Sequence, residues 1–325
     1  MRAAYYEKNG PARDVLKIGE VDAPQPGAGE VRIKLATTGV NPSDVKARMG
    51  ATRKIAFPRV IPHSDGAGVI DAVGGGVPAS RIGERVWTWN GQWKRAFGTC
   101  AEYIVLPQAL AVSLPEHVSF EQGACLGIPA MTACHAVHVA EASAASTLLI
   151  SGGAGAVAHY AIQFAKARGA VVITTVSSEA KAKLALQAGA DHVIDYKREN
   201  VGERVMELTD KAGVDAVIEL DFAANAKLIP SVLRPSGSVV IYGTSAQEVP
   251  MPAYFCLVNQ IGLKFIFVYE LTADERAAAL AEIARLISAK KLIHNVAATL
   301  PLAEIVTAHE MVEQGKAMGN VVVRI

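Results

Sequence analysis

The hydrophobic rhythm of the chain changes twice. In the first third, Val31-Arg32-Ile33-Lys34-Leu35-Ala36 alternates apolar and polar residues with period two, as a half-buried strand does. Pro24, Pro26, Gly27 and Gly29 punctuate the turn before it. Further short strands are predicted at Gly66–Gly74, Arg85–Trp89 and Ala101–Val105. Short strands separated by glycine and proline turns predict a small, partly closed barrel.

From about residue 120 the period lengthens. Phe120 to Val139 reads as helical. There follow strand Thr147–Ile150, helix Ala156–Arg168, strand Ala170–Val176, helix Glu179–Gln187, strand Asp191–Ile194 and helix Val201–Thr209. Strand Asp215–Leu220, helix Ala224–Leu233 and strand Ser238–Tyr242 complete the run. Alternating strands and helices predict a parallel sheet covered on both faces. The tail is mixed: a strand at Lys264–Val268, a helix from Asp274 to Ala289 with Thr272 as N-cap, a helix at Leu302–Gln314 and a last strand at Asn320–Ile325.

Within the alternating run, Leu148-Leu149-Ile150 enters Ser151-Gly152-Gly153-Ala154-Gly155-Ala156-Val157-Ala158, and Ala161, Ile162, Phe164 and Ala165 continue at helical spacing. This strand, tight turn and helix can cradle a diphosphate, because glycines admit close backbone approach and the helix N-terminus supplies free N–H groups. Its nearest fingerprint is Gly152-x-x-Gly155-x-x-Ala158, which a plain structural turn would also satisfy. The βαβ run that follows favours the dinucleotide reading.

Composition narrows the classes. The 325 residues suffice for two domains, and a net charge of +1 gives no general pull toward nucleic acid or anionic lipid. No run of 18 apolar residues predicts a membrane span, and Met1-Arg2-Ala3-Ala4-Tyr5 leads into a strand rather than a signal peptide. Cys100, Cys125, Cys134 and Cys256 are scattered, as reduced thiols of a cytoplasmic protein would be.

The strand after the glycine turn indicates which dinucleotide. An NAD-preferring site often places a carboxylate at its tip; here the tip is Thr175-Val176-Ser177-Ser178, with Lys181 following. Two hydroxyls and an ammonium suit a 2′-phosphate, so NADPH is expected. Ser178 also reads as a helix N-cap and Lys181 as a solvated residue, while Glu179 can point either way. Tyr196 follows the third strand, either near the same phosphate or in a surface turn. Gly243 and Thr244 end a later strand, where a glycine lets a ligand pass close by.

Several motifs together resemble the medium-chain dehydrogenase/reductase superfamily: Gly39-Val40-Asn41-Pro42-Ser43-Asp44, Asp65-Gly66-Ala67-Gly68-Val69-Ile70, Gly83-Glu84-Arg85-Val86, Ala101-Glu102-Tyr103 and Gly189-Ala190-Asp191. Within it the chain looks like the zeta-crystallin-like quinone oxidoreductases, essentially end to end. The resemblance implies an α/β protein in which a Rossmann doubly wound parallel sheet is inserted in a GroES-like β-barrel domain. The corresponding boundaries are 1–120 for the first part of the catalytic domain, 121–257 for the nucleotide domain and 258–325 for the returning part. Cofactor and substrate are expected in the cleft between them. The resemblance further implies NADPH contacts from Asn41, Pro42, Thr132, Ala154, Gly155, Ala156, Val157, Ser177, Ser178, Lys181, Tyr196, Gly243, Thr244, Phe267, Val268 and Tyr269, and a homodimer or homotetramer paired through the Rossmann domains. The family's turn usually reads A-x-x-G-G-V-G; Ala156 and Ala158 stand where glycines are common, so a shifted turn or weaker cofactor binding is expected.

Zinc relatives carry a cysteine near Asn41 and a Gly-His-Glu motif where this chain has His63-Ser64-Asp65, which shifts the histidine by one residue. His63 is therefore assigned to a turn or cleft wall. No cysteine cluster occurs in 90–98, so no metal is expected. Hydride transfer without a Lewis acid requires an acceptor activated by position and hydrogen bonding. Asn41 is placed to donate to the substrate carbonyl or to meet the nicotinamide ribose, and Asp44 is either its catalytic companion or a helix cap. Trp87, Trp89 and Trp93 either cover the substrate or fill the barrel core. Phe267 and Tyr269 either stack near the nicotinamide or belong to the core. The expected reaction is NADPH-dependent reduction of a quinone. The alternatives are an enone or alkenal double-bond reductase and a non-catalytic NADPH-binding protein, crystallin-like or RNA-binding, the last disfavoured by the neutral charge.

Overall fold

The structure is a computed structural model that describes residues 1–51 and 54–325. It divides into two compact units, Met1–Pro129 with His294–Ile325, and Ala130–Ile293.

The first unit is built on strands. β1 (Arg2–Tyr5) pairs antiparallel with β2 (Lys17–Glu20). The alternating stretch seen in the sequence lies in a long strand, β3 (Glu30–Val40), which pairs antiparallel with β4 (Asp65–Val73) and β6 (Tyr103–Pro107). β5 (Arg85–Thr88) lies between β4 and β7 (Ala111–Ser113). Val31, Ile33, Leu35, Ile70, Val86, Ile104 and Leu106 form its core. Trp87 and Trp89 are 1% and 2% exposed, so they fill the interior and do not cover a substrate.

The predicted helix from Phe120 to Val139 is three pieces. Phe120–Gly123 is capped by Ser119, whose Oγ accepts from the Gln122 N–H at 3.2 Å. Leu126–Ala130 is a distinct turn containing Gly127 in a non-helical conformation and Pro129, which has no N–H to offer. The helix Met131–Val139 then belongs to the second unit.

That unit holds a six-stranded parallel sheet made of β8 (Thr147–Ile150), β9 (Val171–Val176), β10 (His192–Asp195), β11 (Val214–Glu219), β12 (Leu233–Ile241) and β13 (Gly262–Phe265). Their order is β10-β9-β8-β11-β12-β13. The order reverses between β8 and β11, the position where open α/β sheets bind ligands beyond the carboxyl ends of their strands. The predicted helix Ala224–Leu233 is broken into Phe222–Asn225, Ala226–Leu228 and Ile229–Val232, with Pro230 in the first turn of the last piece. The domain boundary expected after residue 257 also needs correction. β13 pairs with β12, and the helix Ala273–Ser288 packs on Met131–Val139, which keeps 258–293 in the sheet unit. Thr272 caps that long helix as the sequence predicts, and the structure adds Glu275 as its partner in a reciprocal box.

The chain then returns to the first unit. β14 (Val296–Pro301) pairs parallel with β15 (Asn320–Arg324), and β15 runs antiparallel to β3. Ile305–Glu313 is the helix between them, preceded by a short 3-10 turn at Leu302–Glu304.

Candidate functional site

In the sheet unit, the glycine turn is held by its neighbours. Gly152 has φ 72°, a left-handed conformation that excludes most side chains. Its N–H donates to Thr175 Oγ1 at 3.1 Å, and the Gly153 N–H donates to Thr175 O at 3.0 Å. A Cβ on Gly153 would collide with the Thr174 hydroxyl. Gly155 is the N-cap of the helix Ala156–Ala167, and the first N–H to turn back is His159, onto Gly155 O at 3.0 Å. The N–H groups of Ala156, Val157 and Ala158 therefore point out of the helix N-terminus, as an anion site requires. Ala154 and Ala158 are buried, and the helix begins regularly with Ala156 and Ala158 in its first turn.

At the tip of β9, Lys181 Nζ donates to Ser177 Oγ at 3.0 Å. Ser178 is the N-cap of Glu179–Gln187, its Oγ accepting from the Lys181 N–H at 3.4 Å. The Tyr196 N–H donates to Val176 O at 3.1 Å, which brings this half-exposed tyrosine beside Ser177. Ser177, Lys181 and Tyr196 thus share one corner, while the Ser178 hydroxyl serves the helix.

Gly243 has a reason internal to the protein. A Cβ there would strike the Leu220 carbonyl, and Gly243 O accepts from the Phe222 N–H at 3.0 Å. Thr244 Oγ1 donates to Ala246 O at 2.9 Å within an exposed turn. β13 stops at Phe265, short of the predicted strand end, and Val268–Glu270 is a 3-10 turn packed against the helix that carries Thr132. Phe267 and Tyr269 meet with centroids 5.2 Å apart; Phe267 is exposed and Val268 buried, so Phe267 is not core.

One residue here escaped the sequence reading. Glu219, buried at the end of β11, accepts from Ser151 Oγ at 2.7 Å, the Asp221 N–H at 2.6 Å and Asn225 Nδ2 at 2.9 Å. It ties the carboxyl ends of β8 and β11 together. Its only signal is an acidic residue closing an apolar strand.

In the barrel unit, Asn41 caps the helix Pro42–Met49, and its N–H donates to Asp44 Oδ2 at 2.8 Å. Asp44 is buried and acts here as a cap, one of the two roles its position suggested. Asn41 Nδ2 donates to Asp65 Oδ2 at 2.7 Å, and the Ile128 N–H donates to Asp65 Oδ1 at 2.8 Å. Burial raises the Asp65 carboxyl well above the ordinary carboxylate range, against the pull of the Asn41 donor. In the sequence Asp65 stood out only as the first residue of a glycine-rich strand and as the end of His63-Ser64-Asp65, with no sign of its bond to Asn41.

His63 is not on a cleft wall. It has φ 76° and no exposed surface. Its Nδ1 lies 3.0 Å from Thr38 Oγ1 and its Nε2 2.8 Å from His309 Nε2. Both ring nitrogens are committed inside the protein. The four cysteines are buried, and burial pushes the thiol of Cys134 up to about 12 and those of Cys100 and Cys125 higher than usual. Among the described residues, no three His, Cys, Asp or Glu side chains converge to hold a metal ion. This donor set does not fit a zinc centre, which needs convergent imidazole and thiolate ligands.

Residues 27–116 match the family described as "Alcohol dehydrogenase GroES-like domain", and residues 156–285 the one described as "Zinc-binding dehydrogenase". A quinone oxidoreductase of Rattus norvegicus is 37% identical over 241 residues, 73% of this chain and 71% of its own length. A 2-haloacrylate reductase of a Burkholderia species is 28% identical over 99% of this chain and 98% of its own length. A mycobacterial protein solved in complex with NADPH superposes with a TM-score of 0.89 at 29% identity, covering 100% of both chains. No helix among the described residues is long and apolar enough to cross a membrane. The chain belongs to the medium-chain dehydrogenase/reductase superfamily, among its zeta-crystallin-like quinone oxidoreductases, and is an NAD(P)-dependent oxidoreductase with a GroES-like and a Rossmann domain.

Proposed function

We propose that this protein is an NADPH-dependent quinone oxidoreductase that works without a metal. The observation that carries the acceptor class is the commitment of His63 and Asn41: the imidazole spends both nitrogens on Thr38 and His309, and the amide spends a donor on Asp65. With no ligand set among the described residues to hold a metal that polarises a carbonyl, the chain suits an acceptor that is already electron-poor. Quinones meet that requirement.

When bound, NADPH supplies the hydride. The chain's own residues hold and orient it. The N–H groups of Ala156, Val157 and Ala158 would meet the diphosphate, with Ala154 and Gly155 shaping the turn. Ser177, Lys181 and Tyr196 would meet the 2′-phosphate, and Ser178 would serve them by starting the helix that carries Lys181. Asn41 and Pro42, Thr132, Gly243 and Thr244, and the Phe267-Val268-Tyr269 turn would contact the remainder of the cofactor, as matching segments do in related enzymes. A quinone takes two electrons with the hydride, and its developing oxyanion takes a proton from solvent or a side chain. The buried thiols agree with a reducing, cytoplasmic setting.

The test is NADPH oxidation with 1,4-benzoquinone and with an α,β-unsaturated aldehyde, before and after chelator treatment. A higher kcat/KM for the quinone, unmoved by chelation, is expected. A far higher rate on the aldehyde would favour the second reading, an enone reductase, which the similarity to a 2-haloacrylate reductase supports. The cofactor's binding without oxidation by any acceptor would favour a non-catalytic role.

We also propose that copies of the chain pair through the sheet unit, as a homodimer or a homotetramer. β13 is the edge strand of its sheet, and Phe265 on it is 69% exposed.

A further inference from the structure

The buried Asp65 carboxyl has a feature that packing does not account for. It begins β4 with no exposed surface, and the hydrogen bonds it accepts come from the Asn41 amide and the Ile128 main chain. Among the described residues, no cation offsets it. A buried carboxyl so placed is a poor way to gain stability. The surroundings are nevertheless shaped to keep it. A Cβ on Gly127 would collide with Asp65 Oδ1, and a Cβ on Gly39 would collide with the Ala124 carbonyl, so the segment leading to Ile128 lies against β3 and β4 with room only for glycine. The Asn41 main chain is fixed independently by Asp44 and by Pro42 in the first helical turn. What Asp65 adds is direction: it holds the amide by Nδ2, which turns Oδ1 toward the Asp44 main chain in the capping box and leaves that oxygen a second lone pair.

We propose that Asp65 is a positioning residue, which turns the Asn41 amide so that Oδ1 is presented as an acceptor to a hydroxyl of the nicotinamide ribose rather than Nδ2 as a donor to the substrate carbonyl. This rests on the reading of Asn41 as a cofactor contact. An amide has an oxygen at one end and an NH2 at the other, and the partner that takes the NH2 fixes which way round it lies. Asp65 therefore acts on cofactor binding, not on the acceptor's reduction.

The experiment compares KM for NADPH and kcat with 1,4-benzoquinone in N41A, D65N and the reciprocal exchange N41D/D65N, at a temperature where circular dichroism shows each folded. D65N places an NH2 against Asn41 and reverses its amide. The loss of one neutral hydrogen bond predicts KM for NADPH up roughly tenfold in N41A and in D65N, with kcat nearly unchanged. The reciprocal exchange rebuilds the inner bond, from Asn at 65 to Asp at 41, and again presents an acceptor, so its KM should return toward wild type. A purely structural role would lower thermal stability in D65N without this KM effect or its rescue. If N41A leaves KM unchanged, the cofactor reading of Asn41 falls and the proposal with it. If N41A raises KM and D65N does not, positioning alone is overturned. Should D65N fail to fold, the folded reciprocal variant decides: a KM as high as that of N41A overturns the proposal.

Discussion

The Nε2 atoms of His63 and His309 lie 2.8 Å apart with both rings fully buried, so one imidazole donates and the other accepts. Their surroundings choose the direction. Thr99 Oγ1 donates to Asp65 O at 2.7 Å, and the single proton of Thr38 Oγ1 has Asp65 O at 3.0 Å and Thr99 Oγ1 at 2.6 Å as acceptors. With its proton spent, Thr38 Oγ1 accepts from His63 Nδ1–H at 3.0 Å. His63 Nε2 is then a bare acceptor for His309 Nε2–H. His309 Nδ1, which has no hydrogen-bond partner, becomes a lone pair rather than a stranded N–H. The opposite arrangement would bury an unpaired donor at a cost of about 1–3 kcal/mol.

This pair predicts acid sensitivity of the fold. Burial pushes His63 down to about 3, and burial with the nearby His63 and Arg48 holds His309 well below its usual value. Both native values lie below the unfolded one, so below about pH 6.5 the unfolded chain binds protons that the native chain refuses. The stabilisation is complete above that pH and is lost as pH falls toward 3, by about 1.4 kcal/mol per pH unit for each histidine. In H309F the slope of unfolding free energy against pH between 6 and 4.5, measured in urea, should be shallower by about that amount. Equal slopes in the two proteins would sink this account.

At the other unit, Lys181 Nζ and Ser177 Oγ, 3.0 Å apart, hold a cation and a hydroxyl together at the tip of β9. If they read a 2′-phosphate, K181A weakens NADPH binding by roughly 1–2 kcal/mol, the scale of one charge-assisted contact. NADH binding, lacking that phosphate, should change little. Fluorescence titration with both nucleotides checks this, and equal losses would remove Lys181 from the phosphate site.

These two sites differ in how far the sequence disclosed them. The β9 corner is local: Ser177, Ser178 and Lys181 are near neighbours, and Lys181, in the first turn of the helix that Ser178 caps, reaches back to Ser177. The alternating sheet and the Thr272 cap were legible for the same reason, since each rests on a short-range period or pairing. The histidine pair joins residues 246 positions apart, and Asp65 reaches Ile128 across 63, so no spacing rule could announce either. β13 was legible as a strand but not as a member of the parallel sheet, because four residues carry no mark of their partner.

Gly243 tests a distinction that the sequence left open. A glycine at the end of a parallel strand admits a ligand, yet here a Cβ would strike the Leu220 carbonyl. G243A should therefore destabilise the free protein, by about 1–3 kcal/mol for forced overpacking. Thermal unfolding without nucleotide measures it. An unchanged free protein with weakened NADPH binding would return the residue to the cofactor.

The edge of the parallel sheet carries the last prediction. Tyr254 and Leu257, on the helix Ala253–Val258, are 79% and 75% exposed, and Phe265 on β13 is 69% exposed. Three large apolar side chains open to water, one on the edge strand and two on the helix that precedes it in sequence, are a poor surface for an isolated molecule and a good one for pairing. If copies associate through Leu257, a charge there would have to be buried without a partner, which costs several kcal/mol and splits the assembly. L257E should then shift the mass measured by light scattering to that of one chain, while circular dichroism stays unchanged because the residue contributes little to its own fold. A wild-type protein of single-chain mass, or an L257E variant that keeps the assembly intact, would show that this edge is not the contact.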